Sequence, residues 1–180
     1  MPRLTPIRSD DLEDIVDVYR EVFSAPPYLE SEGDSIRFRL RLERALTEEG
    51  ASSWAIRSDD DEVMGFACGA TIKTGSWLWD DLGRCLPQGD LREWLIDCYE
   101  VRELAVSPRF RRQGIGTQLH TALMQRCDSS HALLLVRVDA TDAVMFYAAR
   151  GWRILIQDLI LSDISPHRMV LGLALPANEA

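Results

Sequence analysis

A chain of 180 residues, 46% hydrophobic and 27% charged, has the size and balance of one folded globular domain and not of a disordered or fibrous protein. Its net charge of −9 argues against nonspecific nucleic-acid binding, which depends on Lys and Arg side chains that neutralise phosphates. The excess of negative charge suggests a cationic partner, or else it serves only to keep the protein soluble. No apolar run reaches the ~18 residues that a membrane span needs, so we expect no membrane partner.

The first half of the chain predicts a strand, two helices and a hairpin. Residues 4–8 read as a short strand, after which Asp10 and Glu13 resemble a capping box that opens a helix. Apolar residues then recur at helical spacing and place one stripe against a core: Leu12, Ile15, Val16, Tyr19, Val22 and Phe23. An acidic loop over residues 28–33 precedes a second helix over residues 34–46. Residues 54–57 and 63–73 are predicted to pair as a hairpin.

The second half begins with a long connection over residues 74–96, and connections of this length are often functional. A strand over residues 99–106 leads into a glycine turn and a helix. Residues 132–138 form a nearly continuous apolar run, which is typical of a strand covered on both faces. A helix over residues 141–150 ends where Gly151 suits a left-handed backbone. Two strands, 152–161 and 167–173, complete the chain as a hairpin around residues 162–166.

The cysteines and histidines indicate a reducing compartment and no metal site. The four cysteines are scattered without C-x-x-C spacing, and none of the three histidines is spaced to share a metal with another His or Cys. Residues 1–4 lack the apolar stretch of a signal peptide. We therefore expect a cytoplasmic protein with reduced, largely structural thiols. The sequence leaves a homodimer open.

The turn after residue 106 is the strongest chemical signal in the chain. Gly114 and Gly116 remove side chains where a backbone must approach a ligand closely, and amides that open a helix form an anion site. Neighbouring arginines add positive charge to an otherwise acidic protein. Neither a P-loop nor the G-x-G-x-x-G dinucleotide fingerprint is present, because Leu119 stands where a third glycine would be needed. The glycines alone are equally compatible with a tight strand-to-helix turn that binds nothing.

The residues around the turn carry a resemblance to a known family. Residues 104–117 read LAVSPRFRRQGIGT, which closely resembles the acetyl-CoA motif R/Q-x-x-G-x-G/A of the GNAT superfamily of N-acetyltransferases. Residues 143–152 read AVMFYAARGW and resemble the family's A-x-x-x-Y-x-x-x-G-F helix, with Trp152 in place of the usual Phe. One departure is Ala140, which stands where many relatives carry an asparagine.

The resemblance implies a fold and a ligand. The fold would be α/β (α+β), a single-domain GNAT-like mixed and mostly antiparallel sheet flanked by helices, with a splayed parallel strand pair at the cofactor site. The ligand would be acetyl-CoA, the acetyl donor. Backbone groups of the strand would pair with pantetheine, and these belong to Leu104, Ala105 and Val106. The turn would hold the pyrophosphate and consists of Arg111, Arg112, Gln113, Gly114, Ile115, Gly116 and Thr117.

The resemblance also implies catalytic residues. A glutamate on the strand can act as general base directly or through water, and Glu100 and Glu103 are the candidates. Glu100 matches the catalytic position of histone-type members better. Residues 100 and 103 face opposite sides of an unbroken strand, and either could instead be solvated or paired with an arginine such as Arg102. Tyr147 is the family-matched general acid, because a phenol is protonated at neutral pH, or else it only packs the helix.

The resemblance leaves the acceptor open. We expect direct transfer of acetyl to a primary amine of a small molecule, with a protein or peptide amine as an alternative. A noncatalytic CoA-binding module is a second alternative. Residues 28–33 and 77–94 combine carboxylates with aromatic rings that could hold an ammonium ion, although the tryptophans could equally be core anchors.

Overall fold

A computed structural model of the chain describes residues 2–85, 94–161 and 164–176. Residues 86–93 of the expected connection, and Ser162 and Asp163 of the expected last turn, lie outside the described residues. The strands are β1 (Arg3–Pro6), β2 (Ala51–Arg57), β3 (Val63–Thr71), β4 (Cys98–Val106), β5 (His131–Arg137), β6 (Arg153–Leu161) and β7 (Ile164–Ala174). The α-helices are α1 (Leu12–Phe23), α2 (Glu32–Ala45), α3 (Trp77–Cys85), α4 (Ile115–Gln125) and α5 (Thr141–Ala148). Within the described residues no helix is long and apolar enough to cross a membrane.

The sheet has seven strands in the order β1-β2-β3-β4-β5-β7-β6. Neighbouring strands run antiparallel from β1 to β3 and again across β5, β7 and β6, whereas β4 and β5 are parallel. The parallel pair joins only three residues of each strand, and it ends at Glu100 and Leu133. Beyond Glu100, β4 continues to Val106 without pairing to β5. The expected mixed, mostly antiparallel sheet with one short parallel pair is therefore confirmed.

The start of α1 differs from the prediction. A short 3-10 turn, Ser9–Asp11, precedes the helix, and the Arg8 backbone N–H donates to the Asp11 carboxylate at 2.6 Å. The predicted capping pair of Asp10 and Glu13 is wrong, because the observed pair is Arg8 and Asp11, two residues earlier, where the 3-10 turn opens. The apolar stripe is confirmed, since the side chains predicted to lie on it are all buried.

The second helix and the long connection also differ in extent. Helix α2 begins at Glu32, two residues before the predicted start, because Ser31 caps it and donates to Asp34 through both its N–H and its hydroxyl. Within the connection expected over residues 74–96, the chain forms α3, where the Trp79 N–H donates to the Ser76 hydroxyl at 3.3 Å. The prediction of an irregular segment there is wrong for residues 77–85.

The described chain folds as two compact units. The first comprises Met1–Ala70 and Val101–Cys127. Its core joins the stripe of α1 to the inner faces of α2, β2 and β3, with Tyr19, Phe38 and Phe66 in aromatic contact at its centre. These rings bury large apolar areas, and aromatic side chains of this kind contribute strongly to core stability. The first unit carries the glycine turn and most of β4.

The second unit comprises Thr71–Glu100 and Asp128–Ala180. Its core is aliphatic and brings Leu78 and Leu82 of α3 together with Leu133 of β5 and Val170 of β7. Helix α5 belongs to this unit and carries Tyr147. The single-domain organisation expected from the chain length remains a prediction.

Candidate active site

The glycine turn begins where β4 ends. The Ser107 N–H donates to the Met64 carbonyl of β3 at 3.0 Å, which fixes the last residue of the strand. Pro108 then opens a 3-10 turn, because its fixed φ suits the first position of a helical turn and its missing N–H costs nothing there. The Phe110 N–H closes this turn on the Ser107 carbonyl at 2.9 Å. The chain is thereby directed into α4.

The backbone of the turn forms an array of outward-facing donors. Arg112 and Gly114 both have positive φ, 62° and 80°. In the described part of the chain, the amides of residues 113–116 donate to no backbone acceptor, and the first helical hydrogen bond runs from Gln118 to Gly114 at 3.0 Å. Successive amides in such a conformation, at the positive end of a helix dipole, make an anion-binding concavity.

The strand and the turn are packed tightly against a glycine that the sequence analysis did not single out. A Cβ built on Gly65 of β3 would lie 2.7 Å from the Ala105 carbonyl oxygen, 3.2 Å from the Val106 Cα and 3.3 Å from Ile115 Cγ2. Only a residue without a side chain lets β3 approach β4 this closely. In the sequence, the only indication of this close approach was that a glycine lies inside a predicted strand.

Two of the three arginines near the turn are not neutralised by a carboxylate of the described residues. Arg109 is ion-paired with Glu62 and lies 3.9 Å from Glu21, so its charge is largely compensated. Arg111 donates from Nε to the Val106 carbonyl at 3.3 Å, which ties the turn to the end of β4. Neither Arg111 nor Arg112 forms an ion pair with any carboxylate of the described residues. The positive charge expected here therefore comes mainly from these two.

The residues present fit the pyrophosphate and pantetheine of acetyl-CoA. Exposed amides of the turn and unpaired arginine charges suit a diphosphate, which needs several donors and a positive potential. Leu104 and Val106 are half-buried on an extended strand that β5 leaves unpaired, so the strand can offer backbone groups to an amide-containing chain. The assignment of individual cofactor-binding residues stays a prediction.

Glu103, one of the two candidate bases, has an arginine beside it. Glu103 is mostly buried and its carboxylate lies 3.3 Å from the Arg41 guanidinium, 62 residues away in the chain. Arg102 pairs with Glu48 at 2.6 Å. Glu100 is half-buried at the last residue of the parallel pair with β5. Glu103 is thus the arginine-paired strand carboxylate considered above, although its partner is a different arginine.

Tyr147 lies on α5 in the second unit and is buried. The Trp152 ring meets it edge-on at 5.4 Å, and the N–H of Trp152 donates to the Tyr147 carbonyl at 3.2 Å. Gly151, at φ 83°, supplies the left-handed residue expected at this helix end. At the other end Ala140 is the N-cap and provides no side-chain cap, as expected where an asparagine is missing. The role of Tyr147 as general acid stays a prediction.

A second group of polar residues lies in the first unit. The Tyr19 hydroxyl donates to the Glu30 carboxylate, and the Tyr19 ring stacks on Phe38 with centroids 3.9 Å apart. Burial raises the pKa of Tyr19, and the carboxylates of Glu103 and Glu30 raise it further. Sequence reasoning placed Tyr19 on the apolar stripe and Glu30 in the acidic loop, but nothing in the pattern joined them.

Comparisons with known proteins place this arrangement in a family. The sequence profile of the Acetyltransferase (GNAT) family matches residues 12–152, and no individual curated protein is similar enough in sequence to count as a match. A GNAT-family acetyltransferase from Staphylococcus aureus has a similar fold, with a TM-score of 0.74 at 12% identity, covering 98% of this chain and 100% of its own.

Two other solved structures have similar folds. The ribosomal-protein-S18-alanine N-acetyltransferase of Escherichia coli has a TM-score of 0.67 at 15% identity, covering 99% of this chain and 97% of its own. The PaiA N-acetyltransferase of Thermoplasma acidophilum, solved in complex with coenzyme A, has a TM-score of 0.66 at 14% identity, covering 97% of this chain and 99% of its own. The chain belongs to the GNAT family of acetyltransferases, enzymes that use acetyl-CoA as the acetyl donor.

Proposed function

We propose that the protein transfers the acetyl group of acetyl-CoA directly to a primary amine of a small molecule. The observation that carries the proposal is the turn after β4, where the amides of residues 113–116 find no backbone acceptor at the start of α4. Acetyl-CoA, when bound, supplies an activated thioester. The remaining work falls to side chains that bind, orient and exchange protons.

Binding is assigned to two stretches of backbone. Amides from Arg112 to Thr117 hold the pyrophosphate, with Arg111 and Arg112 adding charge. The backbone of Leu104, Ala105 and Val106 pairs with pantetheine in the manner of a strand. The Val106 amide donates to the thioester oxygen, where negative charge develops during acyl transfer.

Proton transfer is assigned to Glu100 and Tyr147. The acceptor amine must be neutral to attack, so a base has to remove a proton from its ammonium form. Glu103 lies 3.3 Å from the Arg41 guanidinium, and Glu100 is taken as the base because it better matches the catalytic position of histone-type members. Tyr147 donates a proton to the departing sulfur.

Three variants test these roles. Glu100→Gln and Tyr147→Phe should lower turnover about 10²-fold or more while acetyl-CoA binding persists, since positioned acids and bases contribute roughly this much. Glu103→Gln should have a smaller effect. Free-thiol release with a panel of primary amines measures turnover, and Glu49→Gln, an exposed carboxylate with no partner in the described part of the chain, is the matched control. Unchanged turnover in all three variants would remove the catalytic assignment, whereas acetyl-CoA binding by a wild-type protein that turns over no amine would favour a noncatalytic CoA-binding module.

A protein or peptide amine is the second candidate acceptor. Three large apolar side chains on α2 and just before it are exposed, Leu29 by 68%, Ile36 by 55% and Leu40 by 49%. Exposed apolar residues of this kind can mark a surface that a polypeptide covers. Serine or aspartate substitutions at these positions should leave small-amine turnover unchanged, whereas they should weaken acetylation of a peptide if peptides are the substrates.

The cytoplasm is the proposed location. Cys68, Cys98 and Cys127 are buried as reduced thiols, which suits a reducing compartment. The homodimer stays a prediction, and gel filtration combined with light scattering would decide it.

A further inference from the structure

The carboxylate of Glu30 is held in a defined position. The Glu30 N–H donates to the Phe23 carbonyl at 2.8 Å, which closes the segment between α1 and α2 onto the end of α1. Its side chain accepts a hydrogen bond from the Tyr19 hydroxyl. Tyr19 is only 3% exposed and is stacked on Phe38, so this donor cannot swing away without opening the core. Glu30 itself is half-buried and reaches solvent.

Glu30 lies between α1 and α2 and differs from the carboxylates of these helices in having no cation among the described residues. The carboxylates of the two helices pair with arginines, as Asp17 and Glu32 do with Arg20, Asp34 with Arg37, and Glu13 and Glu43 with Arg39. No Lys, Arg or His of the described residues forms an ion pair with Glu30. Its only side-chain partner there is a neutral hydroxyl. A carboxylate that is held in place and partly desolvated is stabilised when a cation pairs with it, so its position favours binding of a cation.

This anion belongs to the same compact unit as Glu103 and the backbone assigned to pantetheine. Tyr19 is near enough to Glu103 of β4 for that carboxylate to raise the Tyr19 pKa, and Tyr19 also interacts with Arg41. Burial and the neighbouring carboxylates raise the pKa of Tyr19, so the phenol stays protonated at neutral pH and can donate to Glu30.

We propose that Glu30 binds a second, non-reacting ammonium group of the acceptor, and that the acceptor is therefore a diamine or polyamine. This inference rests on the proposed amine acetylation. The reacting nitrogen must lose a proton before it attacks, and a carboxylate beside it would stabilise the unreactive ammonium form. A carboxylate that takes no part in proton transfer instead suits a nitrogen that keeps its charge throughout. Tyr19 acts as a positioning residue for Glu30.

Putrescine and butylamine provide the test, because they share a four-carbon chain and differ in the second amino group. The wild-type enzyme should acetylate putrescine with a kcat/KM about tenfold or more above that of butylamine, as expected for one partly buried ion pair. Glu30→Gln keeps a hydrogen-bond acceptor for Tyr19 and should remove most of this preference through KM for putrescine. Butylamine turnover, KM for acetyl-CoA and Tm should stay close to wild type.

Two further variants sharpen the test. Tyr19→Phe preserves the stacked ring and should reduce the preference for putrescine in the same direction, by less than Glu30→Gln does. Glu49→Gln removes the same charge from an exposed position and should leave the preference intact, which separates a local contact from the net acidity of the protein.

Two results would overturn the inference. One is a wild-type enzyme that uses putrescine no better than butylamine, including one that acetylates neither. The other is a preference that survives Glu30→Gln. In both cases the proposed function stands if other primary amines give N-acetylated products, and it fails separately if no amine does.

Discussion

Replacing Gly65 with alanine tests whether the close approach of β3 to β4 positions the cofactor strand. The new Cβ would lie 2.7 Å from the Ala105 carbonyl oxygen, which is shorter than Cβ atoms tolerate, and 3.2 Å from the Val106 Cα. Both contacts are to backbone, so no flexible side chain can move aside. Either β3 or the end of β4 has to shift.

The expected loss follows from the cost of overpacking a close-packed interior. Such insertions cost about 1 to 3 kcal/mol, so we expect the free energy of unfolding to fall by about 2 kcal/mol, or about 4 to 8 °C in Tm for a chain of this length. Because the displaced residues belong to the strand assigned to pantetheine, acetyl-CoA affinity should also fall. Urea unfolding and calorimetric titration measure the two effects.

Gly83→Ala is the matched control. A Cβ on Gly83 of α3 meets nothing within 4 Å, and alanine favours a helix interior over glycine by about 1 kcal/mol. This variant should therefore be as stable as wild type or more stable, with unchanged acetyl-CoA affinity. A Gly65→Ala protein as stable as wild type, with the same affinity, would refute the idea that this contact positions β4.

Three further substitutions probe stability. Arg57 is 8% exposed and lies 2.6 Å from Asp11, so Arg57→Met should lower the free energy of unfolding in urea by at least about 2 kcal/mol. Arg3→Met, at an exposed ion pair, should lower it by less than about 1 kcal/mol. Equal losses in the two variants would contradict this. Ser107 is fully buried with a hydroxyl that finds no partner in the described part of the chain, so Ser107→Ala should be neutral or stabilising by about 1 kcal/mol, and a clear loss of stability would contradict it. Hydrogen bonds from the serine that caps α2 lower the pKa of Asp34 to about 2, so the contribution of Asp34 to stability is present above the ordinary pKa and is lost as the pH falls toward 2. Asp34→Asn should therefore lower the free energy of unfolding by about 1 kcal/mol at neutral pH and by less at acidic pH. A loss that does not depend on pH would contradict this.

The order of helices and strands was largely predictable because local patterns specify it. The stripe of α1 and the buried run of β5 appear as predicted, since one face or both faces of each element meet a core. Helix α3 was missed because only Leu78 and Leu82 of its described side chains are fully buried, and acidic residues and a glycine interrupt the pattern around them. The observed helix boundaries differ from the predicted ones where a capping residue sets the start of the helix, as Ser31 does for α2.

The candidate site was predictable only where its residues are close in sequence. The turn after β4 is one continuous segment, so its glycines and arginines could be recognised together. The contact between Arg41 and Glu103 joins residues 62 positions apart, and the need for glycine at position 65 depends on a neighbouring strand. Periodicity placed Tyr19 in the core, and only the folded structure shows that its hydroxyl meets Glu30.

The most direct measurement of the central claim follows the acetyl group itself. Acetyl-CoA with an isotope-labelled acetyl group is incubated with the protein and a panel of primary amines. The masses of the amines and of the protein are then measured by mass spectrometry. We expect at least one amine to gain a labelled acetyl group in step with CoA release, with no lasting label on the protein, as direct transfer requires. CoA release that no amine accelerates, together with a Tm unchanged by acetyl-CoA, would contradict the account.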